Sequence, residues 1–185
     1  MHNKNRLRKK FTFIRKKNFF EIKPNYFNPL IELMRKKYNN KNINLANYYP
    51  SFYEVNSLKL LEIDFFKRFK ILFPVIKKND SMLFYKWKNY DVLQINKFGM
   101  LEPALLQNSK TPDVMLVPLL AYDNQKNRLG YGKGYYDRFL NKYLRNNKKI
   151  LTIGIAFSFQ KYHKIPVSDN DVKLNYILTE KGIQE

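Results

Sequence analysis

The sequence contains no cysteine and only two histidines, His2 and His163. Disulfides, thiolate nucleophiles and cysteine metal sites are therefore excluded. With two histidines, a histidine-rich zinc site or a histidine-based catalytic triad is not expected either. Any chemistry must use carboxylates, cations, hydroxyl groups or a bound cofactor.

Long apolar runs are also lacking. No uninterrupted run reaches the roughly 18 residues that a membrane-spanning helix requires, and the basic N-terminus lacks the apolar block of a signal peptide. A cytoplasmic protein without a membrane partner is therefore expected. No glycine-serine linker or proline run divides the 185 residues, so a single domain over 1–185 is predicted, and we expect a monomer.

Acidic residues are few, and the formal net charge is +20. A field of this strength attracts polyanions, whether or not binding them is the function. The lysines are scattered in short pairs, and asparagine, 14 tyrosines and 15 phenylalanines are abundant beside them, which indicates a general compositional bias. Two interpretations stay open, namely a basic active site for an anionic small molecule and a nucleic-acid-binding module.

Apolar periodicity predicts strands that alternate with helices. Helices are predicted over 4–17, over 18–40 after an interruption by two prolines, over 57–69, and from about Gly132 onward. Strands are predicted over 42–49, 70–76, 82–87, 113–118, 149–157 and 173–178, with a turn-bearing connection over 91–103. The nearly all-apolar segment 113–118 is typical of a strand covered on both faces. We therefore predict an α/β fold, a three-layer α/β/α domain with a largely parallel, Rossmann-like sheet.

Glycine is scarce too, yet three of the six glycines alternate in the run RLGYGKGYYD, at 130, 132 and 134. This run contains neither a Walker A loop nor a complete dinucleotide-binding fingerprint. It follows the strand 113–118 and begins a helix, where ligands bind in open α/β sheets and where unpaired N–H groups favour phosphate. The pattern predicts a phosphate-binding loop, although three glycines can also serve only a tight turn.

Charged side chains flank this loop. Lys133 can supply a point charge to phosphate oxygens, and Arg128 can supply a forked one. Asp137, one turn into the following helix, either stabilises the helix N-terminus or holds a magnesium ion.

The run RLGYGKGYYDRFL, preceded by DVMLVPLLAYD, closely resembles the signature of the 5-formyltetrahydrofolate cyclo-ligase family. Further segments resemble family motifs in the same order along nearly the whole chain: KNRLRKKFTFIRKK, YPSFYEVN, FGMLEP and NDVKLNYILTEKGI. The central run is specific, whereas the flanking segments are weak individually.

The resemblance implies an ATP-driven ring closure that converts 5-formyltetrahydrofolate into 5,10-methenyltetrahydrofolate, releases ADP and phosphate, and requires Mg²⁺. Phosphorylation of the formyl oxygen would make it a leaving group while N10 of the folate attacks the activated carbon. This route needs positioning and charge neutralisation rather than a protein nucleophile, which suits this composition.

The resemblance also implies roles for individual residues. The N-terminal helix 4–17 is expected to contribute Lys4 and Arg8 to the ATP phosphates. The nucleotide loop comprises Arg128, Gly130, Tyr131, Gly132, Lys133, Gly134 and Tyr135, of which Arg128 and Lys133 are expected to be catalytic. The folate side comprises Phe52, Glu54 and Tyr136. For the two aromatic residues the alternative is core packing, and for Glu54 it is a cap or surface carboxylate.

Asp137 and Asp171 match the magnesium carboxylates of the family. Two nearby carboxylates are expected to repel each other unless a cation lies between them. The sequence departs from the family pattern at Leu119, where glycine is frequent, and at Asn175, where an acid is common. Because of these departures, a folate-binding protein without turnover remains an alternative, beside the nucleic-acid-binding module.

Overall fold

The computed structural model describes residues 2–38, 41–78, 81–144 and 149–185. The α-helices are α1 (His2–Asn18), α2 (Asn28–Tyr38), α3 (Asp64–Lys67) and α4 (Tyr135–Leu144). Short 3₁₀ helices span Pro24–Phe27, Ser57–Glu62 and Ser158–Gln160. The strands are β1 (Asn44–Ala46), β2 (Lys70–Ile76), β3 (Met82–Lys86), β4 (Leu93–Ile95), β5 (Leu101–Pro103), β6 (Val114–Pro118), β7 (Ala121–Tyr122), β8 (Arg128–Leu129), β9 (Leu151–Ile155), β10 (Tyr176–Thr179) and β11 (Gly182–Gln184).

Seven strands form one sheet in the order β11-β10-β9-β6-β1-β2-β3. The five inner strands pair in parallel, while β3 and β11 close the two edges in antiparallel orientation. Two small hairpins, β4–β5 and β7–β8, lie outside this sheet. The predicted largely parallel α/β architecture is confirmed.

Alternate residues of the inner strands face opposite sides of the sheet. Leu116 of β6 belongs to the same buried cluster as Leu30 of α2. Its neighbour Val117 belongs to a second cluster, which contains Phe139 of α4. Helices therefore cover both faces, which explains why segment 113–118 is apolar at nearly every position.

Helix α1 packs outside these layers. Its residues Leu7 and Phe11 are buried with Leu120, Leu129 and Ile165, beside the β7–β8 hairpin. The predicted helix over 4–17 is confirmed with one or two more residues at each end. Within the described part of the chain, no helix is long and apolar enough to cross a membrane.

Several predicted boundaries are wrong. The strand predicted over 42–49 is only β1, since the buried Asn47 side chain bonds the carbonyl of Ser57 and the amide of Tyr48. The helix predicted over 57–69 is two short helices, separated by extended backbone at Ile63. Strands predicted over 82–87, 149–157 and 173–178 are shifted or shorter, as β3, β9 and β10.

Other segments carry more structure than expected, or less. The connection over 91–103 contains the β4–β5 hairpin, and β11 adds an unpredicted last strand. The helix predicted over 18–40 consists of a 3₁₀ turn and α2, and its last two positions lie outside the described residues. The predicted β-α-β connection across 42–76 is confirmed, because β1 and β2 are parallel neighbours.

Candidate active site

A cavity of about 410 Å³ opens at the carboxyl ends of the parallel strands, where ligands bind in open α/β sheets. Tyr48 follows β1, Pro118 ends β6 and Ile76 ends β2, and all three line the cavity. The cavity is also lined by every residue that the sequence predicts for the site: Lys4, Arg8, Phe52, Glu54, Arg128, Gly130, Tyr131, Gly132, Lys133, Gly134, Tyr135, Tyr136, Asp137 and Asp171.

The glycine loop, residues 130–134, joins β8 to α4 at one wall of the cavity. Gly132 and Gly134 have φ angles of +99° and +68°, in the left-handed region that side chains disfavour. A Cβ atom at Gly132 would lie 3.1 Å from Cζ of Arg8. The Nε of Arg8 in turn donates to the carbonyl of Gly130 at 2.9 Å. Helix α1 therefore contacts the loop through Arg8.

Gly130 and Gly132 differ in backbone conformation, so replacing each with alanine should change the free energy of unfolding differently. Gly132→Ala is expected to destabilise the empty protein by about 1 kcal/mol or more, because alanine must adopt a left-handed conformation. Gly130 has no positive φ, and a methyl group at its Cα would meet no atom within 4 Å, so Gly130→Ala should leave stability unchanged or raise it by up to about 1 kcal/mol. Urea denaturation of both variants tests this difference, and equal losses would contradict it.

The four predicted cations differ in what they bind. Nζ of Lys4 forms an ion pair with Asp171, and Arg128 binds Asp137 Oδ1 at 2.5 Å and the carbonyl of Val172. Arg8 and Lys133 form no ion pair with any residue that the structure describes. Two positive charges at the glycine loop are therefore available to an anionic ligand.

Arg128 is the most enclosed of these cations, with its side chain 4% exposed. Burial lowers the pKa of its guanidinium, and the Asp137 and Asp171 carboxylates oppose that effect. Arg128 therefore joins the loop to Asp137 and to the Val172 carbonyl next to Asp171, and these bonds fix its charge in place.

Each predicted metal carboxylate has one oxygen bound by the protein. Asp137 Oδ1 accepts from Arg128 and from the amide of Val172. Asp171 Oδ2 accepts from Lys4 and from the amide and hydroxyl of Ser168. Burial alone would raise the pKa of Asp171, but the hydrogen bonds from Lys4 and Ser168 outweigh it and lower the pKa below its usual value. The repulsion that is expected between two carboxylates without a cation is offset in this structure, because Lys4 pairs with Asp171 and Arg128 pairs with Asp137.

These two carboxylates fit a magnesium ion that keeps water and phosphate oxygens as its other ligands. Among the described residues no hydrogen bond occupies Asp137 Oδ2 or Asp171 Oδ1. No cluster of three or more acidic, histidine or cysteine side chains occurs within the same residues, so a cage made by the protein alone is not present there.

A second wall of the cavity is a tight turn over residues 51–54. The amide of Glu54 donates to the carbonyl of Ser51, and both central residues, Phe52 and Tyr53, have positive φ angles of 48° and 63°. This backbone presents Phe52 outward, with 68% of its surface exposed. Core packing is therefore excluded for Phe52.

Glu54 is buried, with 8% of its surface exposed. Its Oε2 accepts from the amide and hydroxyl of Ser51, and its Oε1 accepts from the hydroxyl of Tyr131. Burial raises the pKa of the Glu54 carboxyl, and these hydrogen bonds and the charge of Arg15 oppose the shift. A surface carboxylate is excluded by this burial. Tyr136 is half-buried. It packs against the core cluster that contains α4 and also lines the cavity, so its position fits both core packing and a place in the site.

Sequence reasoning missed part of the site. The β4–β5 hairpin contributes Asn96, Phe98 and Met100 to the cavity, and Nζ of Lys133 lies 5.4 Å from the centre of the Phe98 ring. The FGMLEP motif was the available signal, since it covers the turn and the second strand of this hairpin. Arg15 was not assigned to the site either, although helical spacing places it on the same stripe of α1 as Lys4 and Arg8.

The two departures from the family pattern do not line the cavity. Leu119 is 1% exposed and packs against Gly154, and its carbonyl accepts from the side chain of Gln160. The Asn175 side chain accepts from the amide and hydroxyl of Thr152, so it joins β9 to the segment before β10. Both residues support the fold, and neither change removes a group from the site.

Comparison with known proteins identifies the family. A sequence model of the 5-formyltetrahydrofolate cyclo-ligase family matches residues 2–180. The chain belongs to this family. The 5-formyltetrahydrofolate cyclo-ligase of Haemophilus influenzae is 30% identical over 141 residues, which cover 73% of this chain and 74% of the relative. That of Mycoplasma genitalium is 35% identical and covers 73% and 71%.

Solved structures agree with this assignment. The 5,10-methenyltetrahydrofolate synthetase of Aquifex aeolicus superposes with a TM-score of 0.77 at 28% identity, covering 98% of this chain and 92% of that one. The synthetase of Mycoplasma pneumoniae gives a TM-score of 0.72 at 26% identity, covering 95% and 98%. The cyclo-ligase fold therefore extends over nearly the whole chain.

Proposed function

We propose that this cyclo-ligase family member converts 5-formyltetrahydrofolate into 5,10-methenyltetrahydrofolate at the expense of ATP and with Mg²⁺. The observation that carries the proposal is the cavity itself, which is lined by all fourteen residues that match the family's motifs. Because α1 supplies Lys4 and Arg8 to this cavity, we propose that the chain works as one catalytic domain.

The glycine loop and its cations suit the phosphate end of ATP. Backbone N–H groups at the start of α4 and the partial positive charge of the helix favour phosphate. Lys133 and Arg8, which lack carboxylate partners among the described residues, would neutralise the transferred phosphoryl group. Asp137 and Asp171 would hold Mg²⁺, which when bound neutralises phosphate charge.

The turn over residues 51–54 suits the folate. Phe52 offers an exposed aromatic face for a flat heterocycle, and the Glu54 carboxylate can accept from ring N–H groups. The turn over residues 51–54 would thus position N10 and the formyl carbon, while the glycine loop would supply positive charge. No protein nucleophile is required.

The proposal is tested by mixing the protein with 5-formyltetrahydrofolate and magnesium-ATP and recording the absorbance of methenyltetrahydrofolate. ATP-dependent and magnesium-dependent growth of this absorbance is expected. Folate binding without product would support the alternative without turnover. Binding of RNA that is tight, sequence-selective and resistant to salt, without product, would support the nucleic-acid alternative, because phosphate-backbone binding otherwise weakens steeply with salt.

Small anionic substrates are accordingly the partners that we propose, with no specific nucleic acid. The positive charge of the chain would draw in ATP and folate, which are both anionic. The cytoplasmic location and the monomeric state stay predictions.

The raised pKa of Glu54 predicts a pH effect on folate binding. As the pH falls through this raised pKa, protonation removes an acceptor, so KM for 5-formyltetrahydrofolate should rise at a pH above the usual glutamate range. Glu54→Gln should raise KM about tenfold at neutral pH and abolish this step. Initial rates between pH 5 and 8 measure both effects.

The exposed Glu32 on α2 provides a matched control. Glu32→Gln should reproduce the pH profile of the unmodified protein. An unchanged profile in Glu54→Gln would exclude Glu54 from folate binding.

A further inference from the structure

Arg15 has the smallest exposed fraction, 1%, among the charged side chains that the structure describes as buried. Its guanidinium donates to the Tyr131 hydroxyl at 2.6 Å and to the carbonyl of Phe52 at 2.6 Å, with a longer bond of 3.4 Å to Leu119. Its Nε has no hydrogen-bond partner within the described residues. A buried cation with an unsatisfied N–H is costlier than an aliphatic side chain of similar size, so stability does not account for this arginine.

The Tyr131 hydroxyl connects this cation to the folate side of the cavity. It accepts a hydrogen bond from Arg15 and donates its single proton to Oε1 of Glu54. Glu54 Oε2 is already held by Ser51, at 2.8 Å from its amide. Both carboxylate oxygens of Glu54 are therefore fixed, and Oε1 keeps a lone pair that a ligand can use.

Arg15 also holds the backbone of the turn that carries Glu54. Phe52 and Tyr53 occupy the left-handed region, which is strained for residues that carry a Cβ atom. Such a conformation persists only where the surroundings determine it. The bond from Arg15 to the Phe52 carbonyl provides one such restraint from α1.

Within the part of the chain that the structure describes, Arg15 is the charged group that acts on the Glu54 carboxyl. Tyr131 faces Glu54 from the glycine loop, Tyr136 from α4 and Tyr48 from the segment after β1. The pKa of all three phenols is raised because their hydroxyl groups are withdrawn from water, in Tyr131 although 41% of the residue is exposed, so they stay neutral near pH 7. The charge of Arg15 therefore opposes the protonation of Glu54 that burial favours.

We propose that Arg15 is a positioning residue for the folate side of the site, acting through the Tyr131 hydroxyl and the Phe52 carbonyl to fix the Glu54 carboxylate. The inference rests on the proposed function, since it gives Glu54 a substrate to bind. It also changes the role of Tyr131, which lies in the glycine loop but whose hydroxyl serves the folate. The loop that holds phosphate and the turn that holds folate are thereby connected through one buried cation.

Tyr131→Phe is the first test, because it removes only the hydroxyl and keeps the ring, whose centre lies 5.4 Å from Arg15 Cζ. KM for 5-formyltetrahydrofolate should rise about tenfold, as for loss of a hydrogen bond to a charged group, while KM for ATP stays within about twofold. Tyr90→Phe is the matched control, because Tyr90 is 99% exposed, and it should change neither constant.

Arg15→Met and Arg15→Lys provide the second test, through the pH profile of KM for 5-formyltetrahydrofolate. In Arg15→Met, KM should begin to rise at a pH about one unit higher than in the unmodified protein, because removal of an opposite charge near a carboxylate raises its pKa. Arg15→Lys keeps the positive charge, so its pH profile should lie close to that of the unmodified protein. Its affinity for 5-formyltetrahydrofolate should stay lower, because one ammonium group replaces the forked guanidinium. Arg6→Met, on an exposed position of α1, is the control.

A double variant tests whether the effect passes through Glu54. Tyr131→Phe should add no more than about twofold to KM in a Glu54→Gln background. Three results would each overturn the inference. They are additive effects of Tyr131→Phe and Glu54→Gln on KM, an equal increase of the KM values for 5-formyltetrahydrofolate and ATP in Tyr131→Phe, and an unshifted pH profile in Arg15→Met. If Arg15→Met does not fold, Tyr131→Phe and the double variant still decide it.

Turnover by the unmodified protein separates this inference from the proposed function. Normal turnover with unaltered folate KM in Tyr131→Phe overturns the positioning role alone. An unmodified protein that neither binds nor converts 5-formyltetrahydrofolate overturns both.

Discussion

Lys133→Ala is expected to lower kcat about 100-fold or more, the usual loss when one charged or hydrogen-bonding group at a developing charge is removed. Its ammonium lines the cavity between two glycines and has no carboxylate partner among the described residues, so its charge is available to the phosphoryl group. The loop should keep its shape, because Gly132 and Gly134 set the backbone angles. Steady-state kinetics with varied ATP measures the loss.

Lys142→Ala is the control for Lys133→Ala, since Lys142 is an exposed lysine on α4 outside the cavity lining. It should keep full activity. Urea denaturation should show equal stability for both variants. A folded Lys133→Ala enzyme with unchanged kinetics would exclude Lys133 from phosphate chemistry.

Local sequence patterns were sufficient where one segment builds one wall of the site. The glycine run fixes its own geometry through two left-handed glycines, and the all-apolar segment 113–118 indicates a strand covered on both faces. Family motifs placed the remaining wall residues around the same cavity. The glycine loop and the apolar strand could be predicted because neighbouring residues in the sequence determine both.

Long-range contacts could not be predicted in this way. Helical spacing in KNRLRKKFTFIRKK places Arg15 on one stripe with Lys4 and Arg8, apart from the exposed Lys16 and Lys17. Its contacts, however, come from the turn over 51–54 and from Tyr131, which the helix sequence does not show. The left-handed conformations of Phe52 and Tyr53 are likewise imposed by tertiary contacts against local preference.

The ion pairs show the same limit. Sequence reasoning placed Asp137 and Asp171 together and expected repulsion, but Arg128 and Lys4 already neutralise them. The partner of Asp171 lies 167 positions away in the sequence. A contact between residues so far apart produces no periodic pattern in the sequence, so this ion pair is seen only in the structure.

Asp171→Asn is the cleaner test of the proposed metal site. Asp137 binds the buried Arg128, so its replacement would leave a buried charge unpaired, which commonly costs about 3–5 kcal/mol. The Lys4–Asp171 pair is more exposed, and exposed pairs are worth about 1 kcal/mol or less. Asp171→Asn should therefore fold normally.

The stability cost of Asp171→Asn should depend on pH in a defined direction. The pKa of Asp171 is lowered in the folded protein, so the unfolded chain binds more protons as the pH falls. The stabilisation from Asp171 is thus present above the ordinary aspartate pKa of about 3.9 and is lost as the pH falls through the lowered value. Urea denaturation at neutral and acidic pH should show a small difference between the proteins that disappears in acid.

Activity should respond far more strongly than stability to Asp171→Asn. Loss of one of two carboxylates that hold Mg²⁺ is expected to lower turnover roughly 100-fold at a fixed magnesium concentration and to raise the magnesium requirement. Calorimetry should show weakened binding of magnesium-ADP but little change for ADP without metal. Asp169→Asn, at an exposed neighbouring position, should behave like the unmodified protein. Normal turnover of Asp171→Asn at low magnesium would show that Asp171 binds Lys4 only and that the metal is held elsewhere.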